Sequence, residues 1–256
     1  MRRAIVFLGS AIAVACGTLT GEDPPTPVPD RIEDAGTDAP LLEAGTGFCA
    51  TNPGDFCADF DTTPRWWGFD PARAYVEPAA RAALDVTQQG FVSPPNALLA
   101  RANVVPGDDA GALNQLAVKT IPLGTSRKAS LSFSLRALAG IDQPYVAVAS
   151  LSLDAQRYYA LVYSGSKLTI TRAGLPNADF TATPPLGTWA RVRIEVDLVA
   201  GKLEAYIDDA LVVPSSDGFT ATGTDTELGI AFGLSLGAPP AIGTEVQFDD
   251  VLLKWR

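Results

Sequence analysis

Apolar and polar residues alternate with a period of two through the second half of the chain. In Ala129–Leu138, Leu131, Phe133 and Leu135 alternate with Ser130, Ser132 and Ser134. In Trp189–Leu198, Val192, Ile194, Val196 and Leu198 point one way and Arg191, Arg193, Glu195 and Asp197 the other. Successive side chains of a strand face opposite sides, so each segment predicts a strand with one face in a core. Leu203, Ala205 and Ile207 continue the pattern in Lys202–Asp208, after a turn at Val199-Ala200-Gly201. Arg157–Tyr163 and Lys167–Arg172 flank Ser164-Gly165-Ser166, which predicts a hairpin with a loop of about three residues. Tyr158 and Tyr159 are adjacent in that first strand, so one faces in and the other out. Tyr145–Leu153 alternates less cleanly and reads as more buried, and Glu227–Leu234 and Glu245–Trp255 complete the series. Ala79–Leu84 fits a helical turn or a strand.

Many short strands separated by Gly, Pro, Asp and Ser turns predict an all-β, two-sheet antiparallel sandwich. Residues 48–256 are long enough for one such domain. Residues 16–47 differ in character. From Gly17 to Gly47 there are five prolines and seven acids among few large apolar residues. Such a segment buries too little apolar surface to offset its ordering entropy, and proline and like charge extend it, so it reads as a tether.

The N-terminus explains what is tethered to what. Arg2 and Arg3 precede the apolar, small-residue run Ala4–Ala15. Twelve residues are too few for a bilayer-spanning helix and match the core of a signal peptide over residues 1–15. Ala13-Val14-Ala15-Cys16 resembles the bacterial lipobox, which implies lipid on Cys16 and an exported, membrane-anchored protein. Gly17, where related lipoproteins kept in the inner membrane have aspartate, points to the outer membrane or cell surface.

The chain has three cysteines, an odd number for an oxidising compartment. With Cys16 lipidated, Cys49 and Cys57 can pair across a short Pro-Gly loop, contributing roughly 2–3 kcal/mol by chain entropy. The alternative is two buried thiols. Loss of residues 1–15 removes two arginines and no acid, taking the formal charge from −10 to −12. That balance excludes nucleic acid as a partner held by bulk charge.

Two adjacent segments sharpen the fold. Leu186-Gly-Thr-Trp189 leading into Val192-Arg-Ile194-Glu-Val196-Asp197, then Gly201-Lys-Leu203 through Tyr206-Ile207-Asp208-Asp209, resemble a hairpin of concanavalin A-like (laminin-G-like) jelly rolls. Asp209 stands where that superfamily often has glycine. Phe56-Cys57-Ala58-Asp59-Phe60-Asp61, Ser93-Pro94-Pro95-Asn96-Ala97-Leu98 and Phe248-Asp249-Asp250-Val251 are similar to it as well. The resemblance implies a concanavalin A-like jelly roll over residues 48–256, a fold that carries lectins, glycosidases, lyases and adhesion modules alike.

The chain has no histidine, which removes Ser-His-Asp and Cys-His catalysis and the commonest zinc ligand. A carboxylate-pair glycosidase is the enzymatic class that remains. Glu195-Val196-Asp197 resembles the first half of the Glu-x-Asp-x-Glu strand of one glycosidase branch, with Glu195 and Asp197 on one face. The second glutamate should fall at Val199 or Ala200, so ion pairing of Glu195 and Asp197 with Arg191 and Arg193 is the expectation set against catalysis.

Strict alternation in the last strand puts Asp250 on the apolar face, so a bulge turns it out or a cation binds it. First and last strands often lie side by side in this superfamily, which brings Asp59 or Asp61 near Asp249 or Asp250. These hard oxygens suit a structural calcium ion; pairing with Arg65, Lys254 or Arg256 is the alternative. Trp66 and Trp67 stand in succession, which puts one indole out as a platform for a sugar's apolar face. The sequence thus points to a non-catalytic binding domain for glycans or another surface ligand. A carbohydrate-active enzyme and a structural or adhesion role in the envelope are the alternatives.

Overall fold

A computed structural model describes residues 47–61, 68–107, 111–125 and 127–255 of the chain. The leader, Cys16, nearly all of the tether, and Arg65, Trp66, Trp67 and Arg256 lie outside the described residues. Among the described residues a single helical turn, α1 (Phe48–Thr51), precedes fourteen strands. These are β1 (Phe56–Ala58), β2 (Ala82–Thr87), β3 (Ala97–Ala102), β4 (Leu113–Pro122), β5 (Lys128–Ala139), β6 (Val146–Ser152) and β7 (Tyr158–Ser164), followed by β8 (Lys167–Arg172), β9 (Leu175–Asp179), β10 (Ala190–Asp197), β11 (Lys202–Ile207), β12 (Ala210–Asp217), β13 (Glu227–Leu236) and β14 (Thr244–Trp255).

The strands form two antiparallel sheets, the sandwich expected from the alternation and the jelly roll implied by the resemblance. The large sheet runs β12-β11-β10-β5-β14-β3-β2, with β1 added to β14 beyond the end of β3. The small sheet runs β4-β13-β6-β7-β8-β9. Their inner faces meet in one core, at whose centre Phe133, Phe232 and Phe248 pack edge-to-face or tilted, with ring centroids 5.0–6.3 Å apart. Phe56 and Phe69 extend the aromatic cluster. Each expected inward series is buried: Leu131, Phe133 and Leu135 on β5, and Val192, Ile194 and Val196 on β10.

First and last strands do pair, with Phe56 opposite Leu253 and Ala58 opposite Val251. Ala79–Leu84 resolves as a turn at Pro78 followed by β2. The β7–β8 hairpin is tighter than expected. Ser164 already pairs with Lys167, which leaves a two-residue loop of Gly165 and Ser166, both at positive φ (55° and 69°). That is the turn whose twist matches its flanking strands. Asp208 and Asp209 do the same between β11 and β12, at φ 48° and 63°, with no glycine. The Asp208 carboxylate accepts the Arg191 backbone N–H at 2.8 Å, which helps hold that turn.

Candidate functional site

The polar face of β10 lies on the outside of the large sheet. Glu195 and Asp197 share it, as alternation requires, but the arginines divide differently from the expected pairing. Arg193 holds Glu195 and stacks over the Tyr206 ring, 3.8 Å from its centroid, whereas Asp197 pairs with Lys128 at 2.9 Å. Arg191 forms no carboxylate pair among the described residues. It donates to the Asp250 carbonyl at 2.8 Å and to Ser132 at 2.9 Å, and lies 5.0 Å over the Phe48 ring. Glu204 stands directly across from Glu195 and accepts from the Tyr206 hydroxyl at 2.7 Å. Together with Lys128, Ser130, Lys202 and Ser215 they line a depression of about 420 Å³. Every carboxylate in it has a cationic or hydroxyl partner, and Val199 and Ala200 sit in the turn after β10.

Nearer the centre of the same face, four aspartates approach one another. Between Asp249 and Leu252 the register of β14 against β5 shifts, and Asp250 adopts φ 52°. This bulge takes Asp250 off the apolar face, one of the two outcomes expected. The loop 88–96 closes over the cluster. Asp249, fully buried, accepts the N–H groups of Val92 at 2.8 Å and Ser93 at 3.0 Å, while Asp250 accepts the Ser93 hydroxyl at 2.6 Å. Asp61 accepts the Asn96 N–H at 3.1 Å through Oδ1, and its buried Oδ2 has no partner. Burial pushes Asp249 up to about 7 against the pull of those N–H donors. Burial also pushes Asp61 up to about 6, with the Asp59 and Asp250 charges adding to it, and raises Asp250. No ion pair from Lys254 is formed among the described residues. Nor do the described residues contain a group of three or more His, Cys, Asp or Glu placed to hold a metal ion.

The outer face of the small sheet is different in kind. Tyr159, Leu161 and Tyr163 of β7 enter the core, so Tyr158, Ala160 and Val162 face out. The adjacent tyrosines therefore split as expected, Tyr158 outward. Yet Ala147, Ala160 and Val162 form a buried patch on this outer face, with Val162 at 0 % exposure and Tyr158 packed against them. Tyr145, 37 % exposed, stands in the chain just before β6, and Thr171, which lies beside Ala160 in the register, donates its hydroxyl to the Ala160 carbonyl at 3.4 Å. Burial raises the Tyr145 pKa, Thr171 lowers it, and the neighbouring Tyr158 raises it further. At neutral pH Tyr145 is thus a protonated phenol, a ring surface and a hydrogen-bonding group rather than a base. The neighbouring β13 adds Gly229, Ala231 and Gly233 at outward positions, keeping the floor low. Tyr145 and Tyr158, on the face that carries this buried patch, offer ring surface and hydroxyls to a ligand with both apolar and hydroxyl faces.

Tyr145 is the residue that the sequence pattern hid. It stands just outside the strand, and Val148 and Ala149 both join the core at an irregularity in β6, so the period-two signal breaks there. Cys49 and Cys57 form the expected disulfide, with Cα atoms 5.7 Å apart.

No family model matches the sequence, and no curated protein does. Solved structures match its fold. Cellulose-induced protein Cip1 aligns over 77% of this chain and 96% of its own at 12% identity, with a TM-score of 0.55. An endo-β-1,4-glucuronan lyase from the fungus Trichoderma reesei aligns over 78% and 94% at 15% identity, TM-score 0.54. Alginate lyase Aly36B aligns over 78% and 96% at 10% identity, TM-score 0.52. Identities this low establish the shared sandwich and carry no activity across.

Proposed function

We propose that the sandwich is a non-catalytic glycan-binding domain, held at the bacterial surface by lipid on Cys16. The observation that carries the binding reading is the outer face of the small sheet, where Tyr158 packs on the buried patch of Ala147, Ala160 and Val162, Thr171 lies beside Ala160, and Tyr145 is exposed at the start of β6. The outer face of the large sheet is by contrast cross-linked by its own arginines, serines and carboxylates. Fold neighbours that include polysaccharide lyases make a carbohydrate ligand plausible. They also motivate the alternative of a lyase. A lyase needs a base, and here histidine is absent and the Tyr145 pKa is raised.

Co-sedimentation with insoluble polysaccharides tests the proposal. Binding should fall at least about tenfold (about 1.4 kcal/mol) in Tyr145→Ala, with no rise in absorbance from unsaturated products. Product formation by the unaltered chain restores the enzyme reading. The same assay on Trp66→Ala, Trp67→Ala asks whether those indoles contribute, as their sequence suggests.

The anchoring proposal is supported by the disulfide, which leaves Cys16 as the odd cysteine. Labelled palmitate should enter the wild-type chain and not Cys16→Ser. Calcium at Asp59, Asp61, Asp249 and Asp250 is a further proposal, supported by the unpartnered Asp61 Oδ2; the four carboxylates are not gathered for a metal ion in this structure, so binding would have to draw them together. Adding calcium to EDTA-treated protein should raise the melting temperature, and no change contradicts it.

A further inference from the structure

We infer that a pocket at the loop end of the sandwich takes a sugar unit, packing against its apolar ring face and accepting hydrogen bonds from its hydroxyls. This rests on the glycan reading above and adds a subsite next to the small-sheet face. The pocket has a volume of about 500 Å³, within the range of roughly 300–1,000 Å³ usual for small-ligand sites. It lies where the connections β5–β6 (140–145), β7–β8 (165–166), β9–β10 (180–189) and β13–β14 (237–243) meet.

Gln143 fixes three of these connections to one another. Its side chain donates through Nε2 to the Gly140 carbonyl and the Thr244 hydroxyl, both at 2.7 Å, and accepts the Ala241 N–H at 3.3 Å. Its backbone carbonyl accepts the Gly165 N–H at 3.2 Å. On the fourth connection, the Thr183 hydroxyl accepts the Leu168 N–H at 2.9 Å, and the Gly187 N–H reaches the Ala137 carbonyl at 2.8 Å. Gly140 takes φ 67°, and a Cβ there would lie 2.4 Å from the Gly243 carbonyl oxygen, so the two loops touch backbone to backbone. Walls held in this way need little ordering when a ligand enters.

The lining has two halves. Ile141 is buried in the wall, whereas Leu186 and Ile242 are 57 % and 47 % exposed, and covering them with an apolar surface is favourable. The polar half has unused hydrogen-bonding capacity. Asp142 and the Ser166 hydroxyl have no hydrogen-bond or ion-pair partner among the described residues, and Thr183 keeps its hydroxyl proton to donate. A wholly apolar guest would strip water from the Asp142 carboxylate and replace it with nothing, which is costly. A sugar satisfies both halves, its ring face on Leu186 and Ile242 and its hydroxyls on Asp142, Ser166 and Thr183. Lys167, exposed and next to Ser166, stands at the rim, so neutral and acidic sugars are both admitted. The pocket adjoins the small-sheet face: Tyr145 follows Asp142 by three residues, and Ser164 pairs with Lys167 at the turn that carries Ser166.

Affinity electrophoresis of the full chain tests this, in native gels containing hydroxyethylcellulose, xyloglucan, alginate or polygalacturonate. Retardation by at least one of them is expected, weakened at least about fivefold in Asp142→Ala and in Leu186→Ala. Both side chains are exposed, and an unchanged melting temperature in each variant shows that the fold is kept. Tyr158→Ala serves as the variant of the neighbouring face. Retardation that either pocket variant leaves intact overturns the inference, and the glycan reading then stands if Tyr158→Ala weakens it. Retardation by none of the four, or retardation that all three variants leave intact, overturns inference and reading together.

Discussion

Asp249 shows how a polar residue can sit on an outward-facing strand position and still be sealed from water. It faces away from the core, yet the loop 88–96 lies over it and donates two backbone N–H groups to its carboxylate. Burial outweighs those donors and holds its pKa at about 7, with Asp61 at about 6. A carboxyl raised in the folded state binds its proton more tightly than in the unfolded chain. Its stabilising contribution is therefore complete below about pH 4 and lost as pH rises through about 7. With histidine absent, few other side chains titrate between pH 5 and 8. In EDTA, stability across that window should fall by on the order of 1–3 kcal/mol as pH rises, and Asp249→Asn should flatten the profile. A melting temperature that climbs from pH 5 to 8 contradicts this account. Asp209 tests a second residue-scale point. It holds φ 63° without being glycine, and its 3.5 Å contact with Arg193 is solvent-exposed and contributes little. Asp209→Gly should raise stability by no more than about 1 kcal/mol, since relief of the left-handed strain is partly offset by glycine's unfolded-state entropy.

At the scale of elements, strands with one clean apolar face were readable from residues alone. β10 and β11 alternate without interruption because one face meets the core and the other meets water, and β5 does so except at Ser134, which is buried on the outer face opposite Asp249. β4 was not readable, because its inward positions include Gln115 and Lys119. Gln115 is buried and accepts the Glu77 N–H at 2.7 Å, and Lys119 reaches over the Phe56 ring. β3 is buried on both faces at most positions, which erases alternation, and β12 carries Pro214 and register shifts. Irregularities also decide where strands bend. Gly233 takes φ 140° at the register shift of β13 against β6, and a Cβ there would lie 2.0 Å from the Gln115 carbonyl oxygen. Gly233→Ala should therefore cost about 2–4 kcal/mol in chemical denaturation; a loss below 1 kcal/mol would show that β4 moves aside freely. Arg157 ties the β6–β7 turn to the loop at Asp225, whose carboxylate it holds well below the usual range. Arg157→Ala should lower stability by about 2 kcal/mol and speed hydrogen exchange of the Asp154–Arg157 turn.

For the molecule as a whole, the sandwich followed from local pattern and the Cys49–Cys57 bond from cysteine count, while the side-by-side terminal strands followed from the resemblance to concanavalin A-like jelly rolls. The candidate site did not. Its tyrosines come from the end of the β5–β6 connection and the start of β7, and what makes them a site is the outer face that they share. No local period records such a face, because the sequence shows that Ala147, Ala160 and Val162 are small and apolar but not that they lie together. The two outer faces then divide the molecule: an ionic, internally satisfied face on the large sheet and a hydroxyl-lined face over small apolar residues on the small sheet. The central claim is that the second of these binds sugar, and backbone amide NMR shifts during titration with soluble oligosaccharides, neutral and uronate, test it most directly. The account predicts saturable shifts concentrated at Tyr145, Ala147, Tyr158, Ala160 and Thr171. Shifts centred instead on Arg191, Arg193 and Glu195, at Trp66 and Trp67 alone, or nowhere at millimolar sugar, would contradict it.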